Sequence, residues 1–409
     1  MQSADIVIVG GGMVGLAAAL AISQNTDYRI AVVEPQPQAS VSASPKLRVS
    51  AINAASKQFL TNLGVWDAIS NERLQAYQHM HVWDKDGFGH VDFSCQDIAK
   101  MHSLETDLGW IVENDIVRNA LLNKVSQQPQ IHLIPHRLTD LHIGESESFL
   151  TFDAHSPVTA KLVIGADGAN SWVRKQINVP MNFRDYDHHA LVATVKCSQG
   201  HQNTAWQVFL ETGPLAFLPL YQSDLCSIVW SLPPEQANRL KQLADVDFNK
   251  EIIAASDGKL GQIELQSERM TFPLTMRLVD DFAKQRVVLI GDAAHTIHPL
   301  AGQGVNLGFI DASALAQTLN EIHSKGLDIA DQPAFAKFSR WRKADASEMI
   351  LAMEALKQGF SWQQRLPKVA RGIGMSLVNK TAPIKALLLK HAMGFGKPLP
   401  TPSQYNDGL

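Results

Sequence analysis

The sequence predicts an α/β protein, of α+β character when the whole chain is counted, and three observations carry that prediction. A glycine-rich turn links an apolar strand to a helix near the N-terminus, β-rich runs crowd the middle, and the last part reads as helix.

Residues 5–9 are apolar enough for a buried strand, 13–23 suit a helix and 28–34 a second strand, so together they make one βαβ crossover. Between the first strand and the helix stands Gly10-Gly11-Gly12-Met13-Val14-Gly15. Gly10 permits the tight turn, Gly12 lets a pyrophosphate approach the backbone, and Gly15 allows close helix–strand packing. The helix start at Met13 and Val14 offers free N–H groups to that anion. Glu34, at the end of the second strand, can accept a hydrogen bond from a ribose 2′-OH and disfavours a 2′-phosphate. Such a Rossmann-type unit holds NAD or FAD equally well.

Alternating or β-rich runs follow at 80–84, 90–93, 190–197, 205–211 and 225–232, separated by Gly, Pro and Asp, and predict a mostly antiparallel second sheet. Runs at 130–134, 161–164 and 286–290 read as strands returning to the first sheet, and 305–322 as a long helix. The reading is a discontinuous nucleotide-binding domain at 1–75, 100–180 and 280–330, and a substrate domain at 76–99 and 181–279. A helical C-terminal segment at 331–409 follows, with Pro367 and Pro383 as breaks.

The 409 residues are 45% hydrophobic and 19% charged with a net charge of -4, so no basic field points to nucleic acid. Cys95, Cys197 and Cys226 stand apart in sequence, with neither disulfide nor metal spacing, which suits a reducing cytoplasm. The apolar run at 6–22 is crossed by four glycines and has no basic flank, so it is neither signal peptide nor membrane span. His295 and His298, and the adjacent His188 and His189, lack a carboxylate or cysteine at matching spacing. They read as turn or surface histidines rather than metal ligands.

Two more apolar strands end in Gly/Asp turns before a helix: Val163-Ile164-Gly165-Ala166-Asp167-Gly168, continuing to Arg174, and Leu289-Ile290-Gly291-Asp292-Ala293-Ala294-His295, continuing through Pro299 to Gly302-Gln303-Gly304-Val305-Asn306. A carboxylate at such a turn can bond a sugar hydroxyl, and the last glycines let N–H groups face a ligand. Taken singly, each is as readily a capped turn.

Together the three segments resemble the fingerprints of the single-component aromatic hydroxylases of the para-hydroxybenzoate hydroxylase type. The runs Leu47-Arg48-Val49-Ser50-Ala51-Ile52-Asn53, Met80-His81-Val82-Trp83-Asp84-Lys85-Asp86, Ile111-Val112-Glu113-Asn114 and His295 to Asn306 are similar to that family's ubiquinone-biosynthesis branch, its polyprenylphenol hydroxylases in particular. The resemblance implies FAD, with its pyrophosphate at Gly10 to Gly15, Asp167 and Arg174 supporting the pyrophosphate region, and Asp292 on the ribityl chain. It also implies Arg48 on the flavin side, Asn114 and Arg118 along the cofactor and Leu138 at the adenine. Pro299, Gly302, Gly304, Val305 and Asn306 would stand at the flavin ring. NAD(P)H would reduce FAD transiently, since Gly372-Ile373-Gly374 is no second fingerprint, and O2 would add as a C4a-hydroperoxide that hydroxylates a polyprenylphenol. No catalytic acid or base is assigned. Phe217-Leu218-Pro219-Leu220 and Ile228-Val229-Trp230 are expected to roof an apolar pocket. Another ring position of the same pathway, or a non-catalytic FAD-binding assembly protein, are the alternatives; a halogenase would carry Trp-x-Trp-x-x-Pro, which is absent.

Between residues 355 and 406 the chain has eight Lys or Arg and no acid. Ile384, Leu387, Leu388 and His391 share a helical face with Lys385 and Lys390 beside it. The segment is therefore expected either to touch the inner membrane peripherally or another protein of the pathway, or to pack on the nucleotide-binding domain with its lysines solvated or against a second subunit.

Overall fold

The run from Ile6 to Val9 is apolar throughout, so it needs cover on every side. In the computed structural model, which describes residues 2–37, 41, 45–97, 106–297, 304–361, 365–397 and 399–403, the strand Gln2–Val9 has a parallel neighbour on each edge. Ile30–Val33 lies on one edge and Val158–Gly165 on the other, and the parallel order extends to Ile131–Ile134 and Val287–Leu289. The expected returning strands are thus all in this sheet. An antiparallel meander, Leu138–Ile143 and Ser148–Phe152, hangs from it.

The described helices are α1 (Met13–Ser23), α2 (Ala54–Asn62), α3 (Trp66–Ser70), α4 (Asn114–Val125), α5 (Trp172–Gln176), α6 (Pro234–Gln242), α7 (Asp245–Ala255), α8 (Gly304–Ser324), α9 (Gln332–Ser361), α10 (Arg365–Lys380) and α11 (Ala382–Ala392). α1 is buried from Gly15 to Ile22, which explains why its sequence is apolar all round: the sheet, α4 and α8 enclose it.

The second sheet is mostly antiparallel, as its pattern predicts. Its spine is the long strand Met181–Cys197, flanked by Leu225–Leu232 and Met270–Val279, and it continues through Gly213–Pro219 and Thr204–Leu210 to His79–Asp84, which joins in parallel. The strand Gly213–Pro219 is not legible beforehand, because Gly213, Pro214 and Pro219 mimic turn signals. A three-stranded sheet of Val49–Ile52, Gly109–Glu113 and Leu74–Tyr77 is likewise unpredicted.

α6 and α7 cover one face of the second sheet, with Phe217, Ile228 and Trp230 in the core between. Strand alternation therefore sends Leu218, Leu220 and Val229 the other way, against the core of the first sheet. The expected roof thus divides, and only this second set is on the side of the nucleotide-binding unit. Pro367 and Pro383 each stand in the first turn of a helix, α10 and α11, where the missing N–H costs nothing.

Candidate cofactor-binding site

The three glycine segments meet at one place. Gly10 has φ +116°, and a Cβ there would stand 2.3 Å from the Ala166 carbonyl oxygen; at Gly15 a Cβ would fall 2.0 Å from the Gly10 oxygen. The protein's own packing demands both glycines. Gly12 differs, because an added Cβ would meet nothing within 4 Å. The described packing does not require a glycine there, and α1 begins at this point with no side-chain cap on its first N–H groups. An uncapped helix N-terminus beside open space suits a pyrophosphate.

Glu34 holds this turn in place. Its Oε2 accepts the Gly11 N–H at 3.0 Å and its Oε1 the Gln36 N–H at 2.9 Å. Arg118 donates to the Gly11 and Gln36 carbonyls, both at 2.8 Å, and comes within 3.7 Å of Glu34. Both residues reach the glycine turn, Arg118 across 107 positions of sequence.

At the second motif, Asp167 accepts the Ser171 hydroxyl and the Trp172 and Val173 amides, so its oxygens are engaged in starting α5. Arg174 is buried and donates to the Ala293 and Ala169 carbonyls, each at 2.8 Å. It ties the second motif to the third. These two side chains build the site's frame.

At the third motif, Val14 of α1 packs within reach of Gly291 and Gly308, so α8 and the Gly291–Asp292 turn seat directly on the first glycine turn. Asp292 makes no hydrogen bond to any described residue. Its side chain is accessible to solvent, yet burial among protein atoms pushes its carboxyl above the usual range, against the pull of His295, Arg48 and Arg277. A group both reachable and deeply surrounded lines a cleft. Arg48 is exposed at the mouth of the same region, and its carbonyl accepts the Asn114 N–H at 3.0 Å. Asn114 Oδ1 in turn accepts the Ser50 hydroxyl. Asn306 is buried, with its amide given to Ala51 and Asn53, so any cofactor contact it makes is through backbone. Gly304 and Val305 open α8. Pro299, Gly302 and His298 lie outside the described residues. Leu138 is an ordinary core residue at the start of its strand.

The family described as FAD binding domain matches residues 3–330. 3-Demethoxyubiquinol 3-hydroxylase of Escherichia coli K12 is 35% identical over 96% of this chain and 99% of its own length. The mitochondrial ubiquinone biosynthesis monooxygenase of Dictyostelium discoideum is 31% identical over 95% of this chain and 91% of its own. The chain belongs to the FAD binding domain family. It is an FAD-dependent monooxygenase of that family, and the cradle at Gly12 and the unpaired Asp292 fit the cofactor. A solved p-nitrophenol 4-monooxygenase of Pseudomonas putida has the same fold, with a TM-score of 0.77 at 18% identity over 97% of this chain and 99% of its own.

Behind the Gly291–Asp292 turn lies a buried ionic group that sequence reasoning missed. Asp311 of α8 is fully buried; one oxygen accepts Arg342 Nε at 2.6 Å, and the other meets the Gly291 N–H at 2.9 Å and His295 Nε2 at 2.5 Å. Burial alone would raise the Asp311 carboxyl, but His295 and Arg342 more than offset it and hold it below the usual range. His295, expected in a turn or at the surface, is buried on Asp311. The signal available in sequence was Asp311 itself, an acid interrupting the apolar face of a long helix, where an unpaired charge is not tolerated.

Proposed function

We propose that this monooxygenase hydroxylates the aromatic ring of a polyprenylphenol in ubiquinone biosynthesis, with NAD(P)H as transient donor. The observation that carries the reading is full-length identity of 35% to an enzyme named for hydroxylating a ubiquinone precursor, combined with an intact FAD cradle. Bound FAD would supply the chemistry, two-electron reduction at the expense of NAD(P)H and activation of O2, with one oxygen atom entering the ring and the other leaving as water.

The chain's own part is to bind, orient and exclude water. The start of α1 would hold the pyrophosphate, and Asp292 would accept hydrogen bonds from the ribityl hydroxyls. The N-terminus of α8 would offer its positive end to the negative charge of a reduced ring. Leu218, Leu220, Val229 and Met276, on the sheet face that packs toward the first core, keep the ring's surroundings apolar. An isoprenoid chain lives in a bilayer, and no described helix is long and apolar enough to cross one. We therefore read α10 and α11 as the surface that meets the membrane. Their outward side chains Val369, Ile373, Leu377, Leu387 and Leu388 are exposed, and Lys380 and Lys390 face no acid among the described residues.

The test is incubation of purified protein with NAD(P)H, a polyprenylphenol and isotopically heavy O2. Product heavier by one oxygen atom, drawn from the gas, is expected. NAD(P)H consumption that yields only hydrogen peroxide with every precursor of the pathway would refute the substrate class. In a deletion strain, the precursor that accumulates identifies the ring position.

A further inference from the structure

Two separate lines of contact run from residues 392–397, beyond the segment that matches the FAD family, to the two edges of the cofactor site. The first is ionic. Lys397 pairs with Asp345 at 2.7 Å and with Glu348; Asp345 accepts Arg342 Nη1 at 2.5 Å, and Arg342 Nε donates to Asp311 at 2.6 Å. Asp311 ends the line on the Gly291 amide, beside Asp292. The second is backbone. The Met393 carbonyl accepts the Ala55 N–H at 3.1 Å, the Ala392 carbonyl accepts the Asn53 side chain, and the Asn53 N–H donates to Asn306 at 3.2 Å.

We infer that the C-terminal segment is a positioning element for FAD, acting through Lys397, Asp345, Arg342 and Asp311 on the Gly291–Asp292 turn. Burying Asp311 and Arg342 completely is no route to greater stability, because well-packed apolar side chains of like volume serve at least as well. What charges provide there is direction. A carboxylate fixed from two sides by Arg342 and His295 fixes the Gly291 N–H in turn, and with it the point from which Asp292 reaches the ribityl chain. Asp311 meets neither cofactor nor substrate and is a positioning residue, as are Arg342, Asp345 and Lys397.

The full-length protein, loaded with FAD and stripped of it, tests this with four variants: Asp345→Asn, Lys397→Met, Lys397→Arg and, as control, Lys385→Met, which removes the Asp97 pair elsewhere in the segment. The readouts are the FAD dissociation constant by flavin fluorescence, the visible flavin spectrum, and the Tm of the stripped protein. Asp345→Asn is expected to raise the dissociation constant about 10-fold and Lys397→Met about 3-fold, since each weakens one charge-assisted link. Lys397→Arg should restore it, and Lys385→Met should leave it unchanged. Unchanged FAD affinity in both Asp345→Asn and Lys397→Met, whatever their Tm, would overturn the inference; so would an equal loss in Lys385→Met. Lys397 is partly exposed, so its variants fold even if Asp345→Asn does not.

Discussion

Asp292 is costly to the protein without its ligand. An unfolded aspartate ionises near 4, whereas burial lifts Asp292 higher in the folded, FAD-free protein. Between those two values the unfolded chain loses its proton first, so stability of the FAD-free form falls as pH rises through that window and stays lower above it. Asp292→Asn removes this titration. The variant should therefore melt higher than wild type at neutral pH when stripped of FAD, while binding FAD more weakly by about 1–3 kcal/mol for the lost charged acceptor. Parallel Tm-versus-pH curves for the two stripped proteins would contradict the argument. At this scale the sequence was legible wherever a residue's role is local: Gly10 makes the tight turn and Gly15 the close approach that their spacing implies. It was illegible wherever a side chain is engaged across the fold. Asp167 and Asn306 look like ligand groups in sequence, yet their polar atoms hold α5 and the turn at Asn53. Asp311 and Arg342 find each other only because α8 and α9 pack together.

At the scale of elements, α10 has two unlike faces. Inward, Arg371 pairs with buried Asp84, donates to the Gly359 and Phe360 carbonyls, and lies over the Phe360 ring, while Gly372 and Met375 meet Phe88 and Gly89. Outward, Val369, Ile373 and Leu377 repeat every fourth residue, 49–60% exposed. Half of the tail's eight basic residues are thus explained by docking: Lys368, Arg371, Lys385 and Lys397 all pair with acids outside the tail. Lys385 in particular is not free for lipid. That leaves the apolar stripe as the main support for the proposed membrane contact, so replacing Ile373 and Leu377 by Ser should abolish co-sedimentation with anionic vesicles even at low salt, with FAD still bound. Undiminished sedimentation would assign the stripe to another role. Truncation at Lys380 is a poorer experiment, because it also removes Met393 and Lys397. The helical pattern of the tail was readable, but its outward face was not, since contacts distant in sequence, the buried pair at Asp84 and the packing of Gly372 and Met375 on Phe88 and Gly89, set how α10 is rotated.

On the scale of the whole molecule, the parallel sheet, the antiparallel sheet and the helical tail were all foreseeable from period and turn residues. The small sheet of Val49–Ile52, Leu74–Tyr77 and Gly109–Glu113 was not, because strands of four or five residues carry too little alternation to stand out. The tail runs without a break from α11 into Met393 and Lys397, so the surface offered to lipid and the brace behind Asp292 belong to one covalent piece. Two ligands that pull on one support are thermodynamically linked, and the linkage is reciprocal. If vesicles tighten FAD binding by some factor, FAD must tighten vesicle binding by that same factor, and the two ratios can be measured independently. If the proposed substrate and membrane contact hold, an enzyme so built would keep its flavin most firmly at the bilayer and release it more readily when adrift from it.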